Sequence, residues 1–148
     1  MRRILASALA TLMLSGPAAQ AADGAAGVPI LEAGNHELSE FLWLKRPIVV
    51  FADSPADPRY VEQINLLTER LDVLEDRDVV ILTDTDPAAR TPIRTELRPR
   101  GFMFVLIAKD GTKVLRKPFP WDVREITRSI DKLPLRQQEI RDQHDALP

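Results

Sequence analysis

The chain has 148 residues, of which 45% are apolar, 28% are charged and none is cysteine. This composition is typical of a globular domain, because disordered and low-complexity chains carry too little apolar surface to offset the entropy of ordering. The absence of cysteine excludes disulfides, thiol catalysis and cysteine-ligated zinc or iron–sulfur sites. Only two histidines are present, far apart in the sequence, so we expect no metal and no cofactor.

Residues 1–21 have the three parts of a secretory signal peptide. Arg2 and Arg3 give a positive start, residues 4–14 are apolar, and residues 19–21 read Ala-Gln-Ala, a small-residue cleavage site. The apolar run is shorter than the roughly 20 residues that span a bilayer. We therefore predict a periplasmic or secreted protein with no stable membrane anchor after cleavage.

The charge of the chain is unevenly distributed. Cleavage after residue 21 leaves 18 basic and 22 acidic side chains, a net charge of −4, and nothing in this balance indicates nucleic-acid binding. Residues 22–86 carry 14 acidic and 5 basic side chains, whereas residues 87–118 carry 8 basic and 2 acidic ones. Such a change of sign marks either a binding face or two halves of one domain that balance each other.

The first part of the mature chain predicts a leader followed by a buried strand. Residues 22–35 mix glycine and small residues with a short apolar patch and are interpreted as a flexible leader outside the domain. Residues 36–44 have near-helical apolar spacing, and residues 47–52 form a continuous β-branched run typical of a strand buried on both faces. The domain is expected to cover residues 36–143, with a tail over 144–148.

A loop and a helix follow this strand. Asp57 before Pro58 is a favourable helix start, because the aspartate caps free N–H groups and proline lacks an N–H that would go unpaired. The apolar face of this helix is Ile64, Leu67, Leu71 and Leu74. Residues 78–83 predict a second buried strand, parallel to the first because a right-handed crossover joins them.

The second half predicts two strands and three helices. Thr91 and Pro92 begin a short helix that ends near Arg98, and Asp110-Gly111 predicts a tight hairpin turn. The other elements are strands over 102–108 and 113–116 and helices over 121–133 and 135–143. The order is therefore βαβ, a short helix, and ββα.

This order resembles the thioredoxin-like fold, an α/β three-layer sandwich in which helices cover both faces of a central mixed sheet. Residues 49–58, VVFADSPADP, are similar to the strand and active loop of thioredoxins and peroxiredoxins, and residues 102–116 to a peroxiredoxin hairpin. Residues 130–139, IDKLPLRQQE, resemble the closing segment of the domain-of-unknown-function family 4174, and Trp43, Arg46 and the VVFA strand at residues 49–52 are similar to its start. That resemblance implies export and a peroxiredoxin-related fold, in small bacterial proteins and in modules of extracellular-matrix proteins, and it implies no known reaction.

The chain departs from the redox relatives at the reactive position. Thioredoxins attack through a thiolate at the start of the first long helix, a position that falls here within residues 53–58. No cysteine stands there, and Ser54 cannot replace one because a hydroxyl does not undergo disulfide or peroxide chemistry. Disulfide exchange and peroxidase activity by this chain alone are excluded.

The same loop offers the main candidate site, because α/β sheets place ligands at the carboxyl ends of parallel strands. Its aspartates either bind a cation, act as acid and base, or simply cap the helix. The arginines before the third strand either form an anion site with the helix start, remain solvated, or pair with Glu96 or an aspartate. The candidate ligand-binding residues are Asp53, Ser54, Asp57, Arg98 and Arg100, joined by Arg94 for an anion.

Several other residues have a functional and a structural interpretation. Tyr60 and Gln63 either line the cleft beside this loop or pack beneath the loop. Asp84 and Asp86 lack the other ligands of a calcium loop, and we expect them to cap the next helix.

The histidines and tryptophans are expected to be structural. His36 and His144 have no evident acid–base partner, and we predict that both are exposed. We expect Trp43 and Trp121 to pack in the core or at its edge rather than to form a ligand platform.

The function predicted from the sequence is that of a non-catalytic thioredoxin-like binding module with residues 90–117 as its contact surface. Its partner is an unknown protein or a small anionic ligand. The alternative is a hydrolytic or acid–base enzyme, or an anion-binding protein, centred on the loop over 53–58 and Arg100. The predicted core consists of Ile48, Val49, Val50, Phe51, Ile64, Leu67, Leu71, Val79, Val80, Ile81, Phe104, Val105, Leu106, Ile126 and Ile130.

Overall fold

The computed structural model describes residues 27–147; the predicted signal peptide, residues 22–26 and Pro148 lie outside them. The strands are β1 (Ile30–Glu32), β2 (Arg46–Phe51), β3 (Val79–Asp84), β4 (Met103–Ile107) and β5 (Lys113–Lys117). The helices are α1 (Pro58–Thr68), α2 (Leu71–Glu75), α3 (Pro92–Leu97), α4 (Val123–Asp131) and α5 (Pro134–Asp145), with short 3-10 helices at Leu38–Phe41 and Pro87–Ala89.

The five strands form one mixed sheet in the order β1-β3-β2-β4-β5. β3 runs parallel to both β1 and β2, whereas β4 is antiparallel to β2 and to β5. At the centre of the sheet Ile48 faces Ile81 on one side and Leu106 on the other. The carboxyl ends of β2 and β3 therefore lie at one end of the sheet, and the turn from β4 to β5 lies at the opposite end.

Hydrophobic cores cover both faces of the sheet, because alternate residues of each central strand point to opposite sides. Ile48, Val50 and Phe104 belong to the core beneath α1, α2 and α4, whereas Val49 and Val105 belong to the core beneath α3. Every predicted core residue is buried except Ile64 and Leu71, which are half-buried and pack against the first core. The sheet is thus the middle of three layers, as the continuous apolar strands predict.

The predicted flexible leader contains a strand, so that prediction is wrong for its last residues. Ile30–Glu32 forms β1 and pairs in parallel with β3, and Val28 and Ala33 are buried in different cores. The apolar patch beside Gly27 is therefore an edge strand. Its three residues are too few to show the alternation by which a strand is recognised.

The first predicted helix is divided in two. α1 ends at Thr68 and α2 begins at Leu71, because Arg70 leaves helical geometry with φ −135° and ψ 44°. The Thr68 hydroxyl donates to the carbonyls of Ile64 and Asn65, which competes with continuation of the helix. Leu71 and Leu74 consequently pack from a separate short helix.

The ends of the domain also differ from the prediction. The expected helix over 36–44 is only a 3-10 turn at Leu38–Phe41, and α5 extends into the predicted tail as far as Asp145. Among residues 27–147, no helix has both the length and the apolar character needed to cross a membrane.

Candidate functional site

The predicted site loop lies at the carboxyl end of β2. Its side chains form hydrogen bonds with nearby backbone N–H groups and with the neighbouring Arg59. Asp57 caps α1 by accepting from the Arg59 N–H at 2.9 Å, and its other oxygen pairs with the Arg59 guanidinium at 3.0 Å. These hydrogen bonds from Arg59 hold the pKa of Asp57 below its usual value. Ser54 accepts from the Ala56 N–H at 3.1 Å, and Asp53 is exposed. The predicted cap at Asp57 is confirmed.

The structure does not bring the two candidate arginines together with these residues around a cavity. Arg98 and Arg100 are exposed, and neither side chain has a hydrogen bond or ion pair within residues 27–147. Glu96, one predicted partner, pairs with Lys113. A cavity of about 400 Å³ at this end has acidic side chains in its lining, including Glu32 and Asp86, and none of the five candidate ligand-binding residues.

Arg94 connects the ends of β2 and β3 through hydrogen bonds instead of contributing to an anion site. Its guanidinium donates to the Asp84 carboxylate at 2.8 Å and to the Ala52 carbonyl at 3.0 Å, and it lies 5.3 Å from the centre of the Phe51 ring. The Thr91 hydroxyl donates to the same carboxylate at 2.7 Å. Burial raises the pKa of Asp84, but these hydrogen bonds outweigh burial and hold that pKa below its usual value.

Asp84 is therefore not the helix cap that the sequence predicts. Asp86 caps the 3-10 helix at Pro87–Ala89, and Thr91 caps α3 through the Arg94 N–H at 3.1 Å, as expected. Gln63 is fully buried and holds the backbone of Trp121, donating to its carbonyl at 3.0 Å and accepting from its N–H at 2.7 Å. Tyr60 lines the acidic cavity while packing on the core.

The two histidines differ in their contacts, and the two tryptophans differ in their exposure. His36 lies 2.9 Å from Glu40, so the expectation that it has no partner is wrong, although its side chain is 39% exposed. His144 is exposed on α5, as predicted. Trp121 packs against the core as predicted, whereas Trp43 is 67% exposed and does not. Within residues 27–147, no group of three histidine or acidic side chains has the arrangement of a metal site.

The opposite end of the sheet holds a charge cluster that the sequence analysis missed. Arg46, the first residue of β2, is fully buried; it donates to the Glu139 carboxylate at 3.0 Å and to the Arg77 carbonyl at 2.9 Å. Lys109 donates to Glu139 and to Asp78, each at 2.7 Å. Arg136 and an Arg77–Asp131 pair extend the cluster, which we define as Arg46, Arg77, Asp78, Lys109, Asp131, Arg136 and Glu139.

Glu139 is the centre of this cluster and stays ionised in it. Burial raises the pKa of its carboxyl, but hydrogen bonds from Lys109 and Arg46 outweigh burial and lower that pKa to about 2. The Nε atoms of Arg46 and Arg136 are buried and have no hydrogen-bond partner. Each carboxylate of the cluster is therefore paired with at least one cation, whereas two buried cationic N–H groups lack a hydrogen-bond acceptor.

A cleft of about 520 Å³ adjoins the charge cluster, and we call it the Trp43 cleft. Its walls are mostly apolar because they include Trp43, Ala108 and residues 133–135, which form the N-cap and first residues of α5. Arg46 and Lys109 also line the cleft, so two cationic residues border a mostly apolar cavity. The remaining lining residues are Asp110, Thr112 and Gln138.

Trp43 is held in an unfavourable backbone conformation beside this cleft. Its φ is 64°, in the left-handed region that bulky side chains avoid, and its N–H donates to the Lys109 carbonyl at 2.7 Å. Leu42, Leu44 and Leu135 are also exposed, so several large apolar side chains surround the opening of the cleft or flank Trp43 in sequence. Strain of this kind is typical of positions where a side chain must be presented for contact.

Part of the sequence signal for the family lies at this site. Of the residues on which the family resemblance rests, Trp43, Arg46 and part of the segment 130–139 line the Trp43 cleft, whereas the VVFA strand does not. A lone arginine at the start of a strand gives no sign of its partner when that partner lies 93 residues further on.

A family model described as "Domain of unknown function (DUF4174)" matches residues 37–139. The chain is similar to a reduced 2-Cys peroxiredoxin of Plasmodium vivax, with TM-score 0.53, 18% identity, and coverage of 68% of this chain and 84% of that one. It is also similar to a chloroplastic thioredoxin z, with TM-score 0.51, 18% identity, and coverage of 70% and 96%. No curated protein matches the sequence. The structural similarities confirm the predicted α/β thioredoxin-like fold.

Proposed function

Because the chain belongs to the domain-of-unknown-function family DUF4174 and carries a thioredoxin-like fold without cysteine, we propose that it is an exported, non-catalytic binding module. We further propose that the Trp43 cleft is its binding surface, in place of the basic segment 90–117 expected from the sequence.

The observation that carries this proposal is the exposed Trp43 beside an apolar cleft. Binding pockets for small ligands are mostly apolar, hold a few fixed polar groups, and measure about 300 to 1,000 Å³. The Trp43 cleft, at about 520 Å³, has these properties, and its polar groups are fixed by ion pairs at 2.7 to 3.0 Å. A tryptophan at such a position buries a large area when a ligand covers it.

The basic segment is less suited to binding because its charges are partly used within the fold. Arg94 is paired with the buried Asp84, Lys109 is paired with Asp78 and Glu139, and Lys113 is paired with Glu96. The Arg116 side chain donates to the Leu97 carbonyl. The exposed arginines that remain, at positions 90, 98 and 100, do not line the Trp43 cleft.

The cleft is tested with Nile red, an uncharged dye whose emission rises and shifts to the blue in apolar surroundings. We expect the protein to bind the dye, and Trp43→Ala to weaken that binding about tenfold or more, the range typical of a central aromatic contact. Phe119→Ala is the matched control, because Phe119 is 51% exposed and does not line the cleft. Equal binding by wild type and Trp43→Ala would contradict the proposal.

Export is supported by the signal-like composition of residues 1–21. We expect mature protein to begin at Ala22, or one residue later because Ala21 and Ala22 are both small. N-terminal sequencing of periplasmic or secreted material tests this, and recovery of intact Met1 protein from the cytoplasm alone would overturn it.

A further inference from the structure

We propose that the Trp43 cleft binds an amphipathic carboxylate, a molecule with an apolar body and one carboxylate head group, that Lys109 holds the head group, and that the buried Arg46 adds positive charge next to it. This inference rests on the proposed function and names the class of its ligand.

The apolar body is matched by the walls of the cleft. Trp43, Ala108, Leu133 and Leu135 present hydrocarbon or aromatic surface. Trp43 and Leu135 are exposed, so a chain or ring lying between them removes apolar surface of both from water. The volume of about 520 Å³ accommodates a small organic molecule rather than a folded element of a partner.

The head group is matched by an N–H donor that the protein leaves without an acceptor. A lysine ammonium has three N–H donors, and Lys109 uses two of them for Asp78 and Glu139. Arg46 is fully buried and shares the Glu139 carboxylate with Lys109, so it adds positive charge near the ammonium group without contacting the ligand. A hydrogen bond from an ammonium group to a carboxylate oxygen is about twice as strong as one between neutral groups.

The charge balance favours an anion with a single charge. The charge cluster contains four cations and three carboxylates, so one further carboxylate neutralises it. Asp110 also lines the cleft, but it is exposed and accepts from the Thr112 N–H at 2.9 Å, so solvent screens its charge. A doubly charged phosphate would instead add an excess of negative charge beside Glu139, which is already ionised.

The experiment compares octanoate with octanamide, which has the same chain and nearly the same shape but no charge. Calorimetry on the wild-type protein, with the emission of its tryptophans as a second readout, gives both dissociation constants. We expect octanoate to bind about ten- to hundredfold more tightly, the effect of one charge-assisted hydrogen-bond pair.

Lys109→Met removes one head-group donor while keeping the length of the side chain. We expect this variant to bind octanoate about as weakly as the wild type binds octanamide, with octanamide binding unchanged. Lys113→Met is the matched control. Lys113 is the first residue of β5, pairs with the exposed Glu96 and does not line the Trp43 cleft. If Lys109→Met does not fold, the comparison of octanoate with octanamide on the wild-type protein still tests whether the cleft prefers a carboxylate.

The outcomes separate this inference from the proposed function. Equal affinity for octanoate and octanamide, or Nile red binding without octanoate binding, overturns the inference that the ligand is a carboxylate. The proposal that the cleft is the binding surface would stand in either case. Tighter binding of octyl phosphate overturns it in favour of a dianion. A dimer that Trp43→Ala dissociates overturns it in favour of a second copy of the chain.

Discussion

Arg46 is a buried cation at the first position of the central strand, and its surroundings explain why the residue is arginine. Its planar fork reaches a backbone carbonyl and a carboxylate at the same time, at 2.9 and 3.0 Å. Arginine reaches the two acceptors from two separate nitrogens of a rigid fork, whereas lysine would have to serve both from one nitrogen on a flexible stem. A buried charge that loses part of its pairing is strongly destabilising.

We expect Arg46→Lys to lower the free energy of unfolding by about 2 to 4 kcal/mol, because the carbonyl or the carboxylate loses its donor. Arg128→Lys is the control, since Arg128 forms an exposed pair with Glu125, and should change stability by less than about 0.5 kcal/mol. Urea denaturation measures both. An equal effect of the two substitutions would contradict the role given to Arg46.

At Trp43, the cost of the backbone conformation and the contact made by the side chain can be measured separately. Its backbone lies at φ 64°, which glycine adopts without strain and other residues adopt at a cost of about 1 kcal/mol. We expect Trp43→Gly to be about 1 kcal/mol more stable than Trp43→Ala in thermal denaturation, while both lose Nile red binding. A Trp43→Ala protein as stable as Trp43→Gly would show that the backbone at this position is not strained.

At the scale of elements, single polar side chains connect helices that pack only partly through apolar contact. α5 has few buried residues, and Arg136 and Glu139 connect it to the sheet through the charge cluster. α1 is connected to the segment before α4 by Gln63, whose amide both donates to and accepts from the backbone of Trp121. The amide is required because one residue must supply both a donor and an acceptor.

We expect Gln63→Glu to destabilise the protein at neutral pH by about 1 to 3 kcal/mol, because an ionised carboxylate cannot donate to the Trp121 carbonyl. At low pH the carboxyl becomes a donor again, so the difference from wild type should shrink as the pH falls. Denaturation of both proteins at neutral and acidic pH measures this, and a difference independent of pH would contradict it.

The elements that the sequence predicts well are those with local signals. The apolar strands at 47–52, 78–83 and 102–108 and the caps at Asp57 and Thr91 rest on neighbouring residues, and each is found within one residue or at its predicted position. β1 and the break at Arg70 were missed, because a three-residue edge strand depends on its partner β3 and a helix break depends on packing.

At the scale of the whole molecule, the two ends of the sheet differ in chemistry. The carboxyl end, where a redox relative reacts, is closed by Arg94, Asp84 and Thr91, and the opposite end carries the Trp43 cleft. Fold analogy predicts a site at the carboxyl end, because α/β sheets place ligands there. The site at the other end depends on contacts between residues 46, 109 and 139, which no local pattern reveals.

The charge cluster predicts how the stability of the protein depends on pH. The pKa of Glu139 is about 2 in the folded protein, against an ordinary value of 4.5, so the folded state binds fewer protons than the unfolded state between these values. Its contribution is complete above about pH 5 and is lost as the pH falls towards about 2. Asp84 and Asp131, whose pKa values are also lowered, act in the same direction.

We expect Glu139→Gln to lose about 3 kcal/mol of stability at neutral pH, the equivalent of the pKa shift of Glu139. The stability of this variant should also fall less steeply between about pH 5 and pH 3 than that of the wild type. Urea denaturation across this range measures both effects. Parallel pH profiles of the two proteins would show that Glu139 is not the group responsible.

The distance in sequence between Arg46 and Glu139 has a consequence for synthesis of the chain. The buried guanidinium is synthesised early and its carboxylate 93 residues later, after all five strands of the sheet. Until that residue has emerged, closing the sheet would enclose a cation without its counter-ion, which is unfavourable. Completion of the domain is thereby coupled to synthesis of α5, so a prematurely terminated chain lacking Glu139 would be left open to proteolysis.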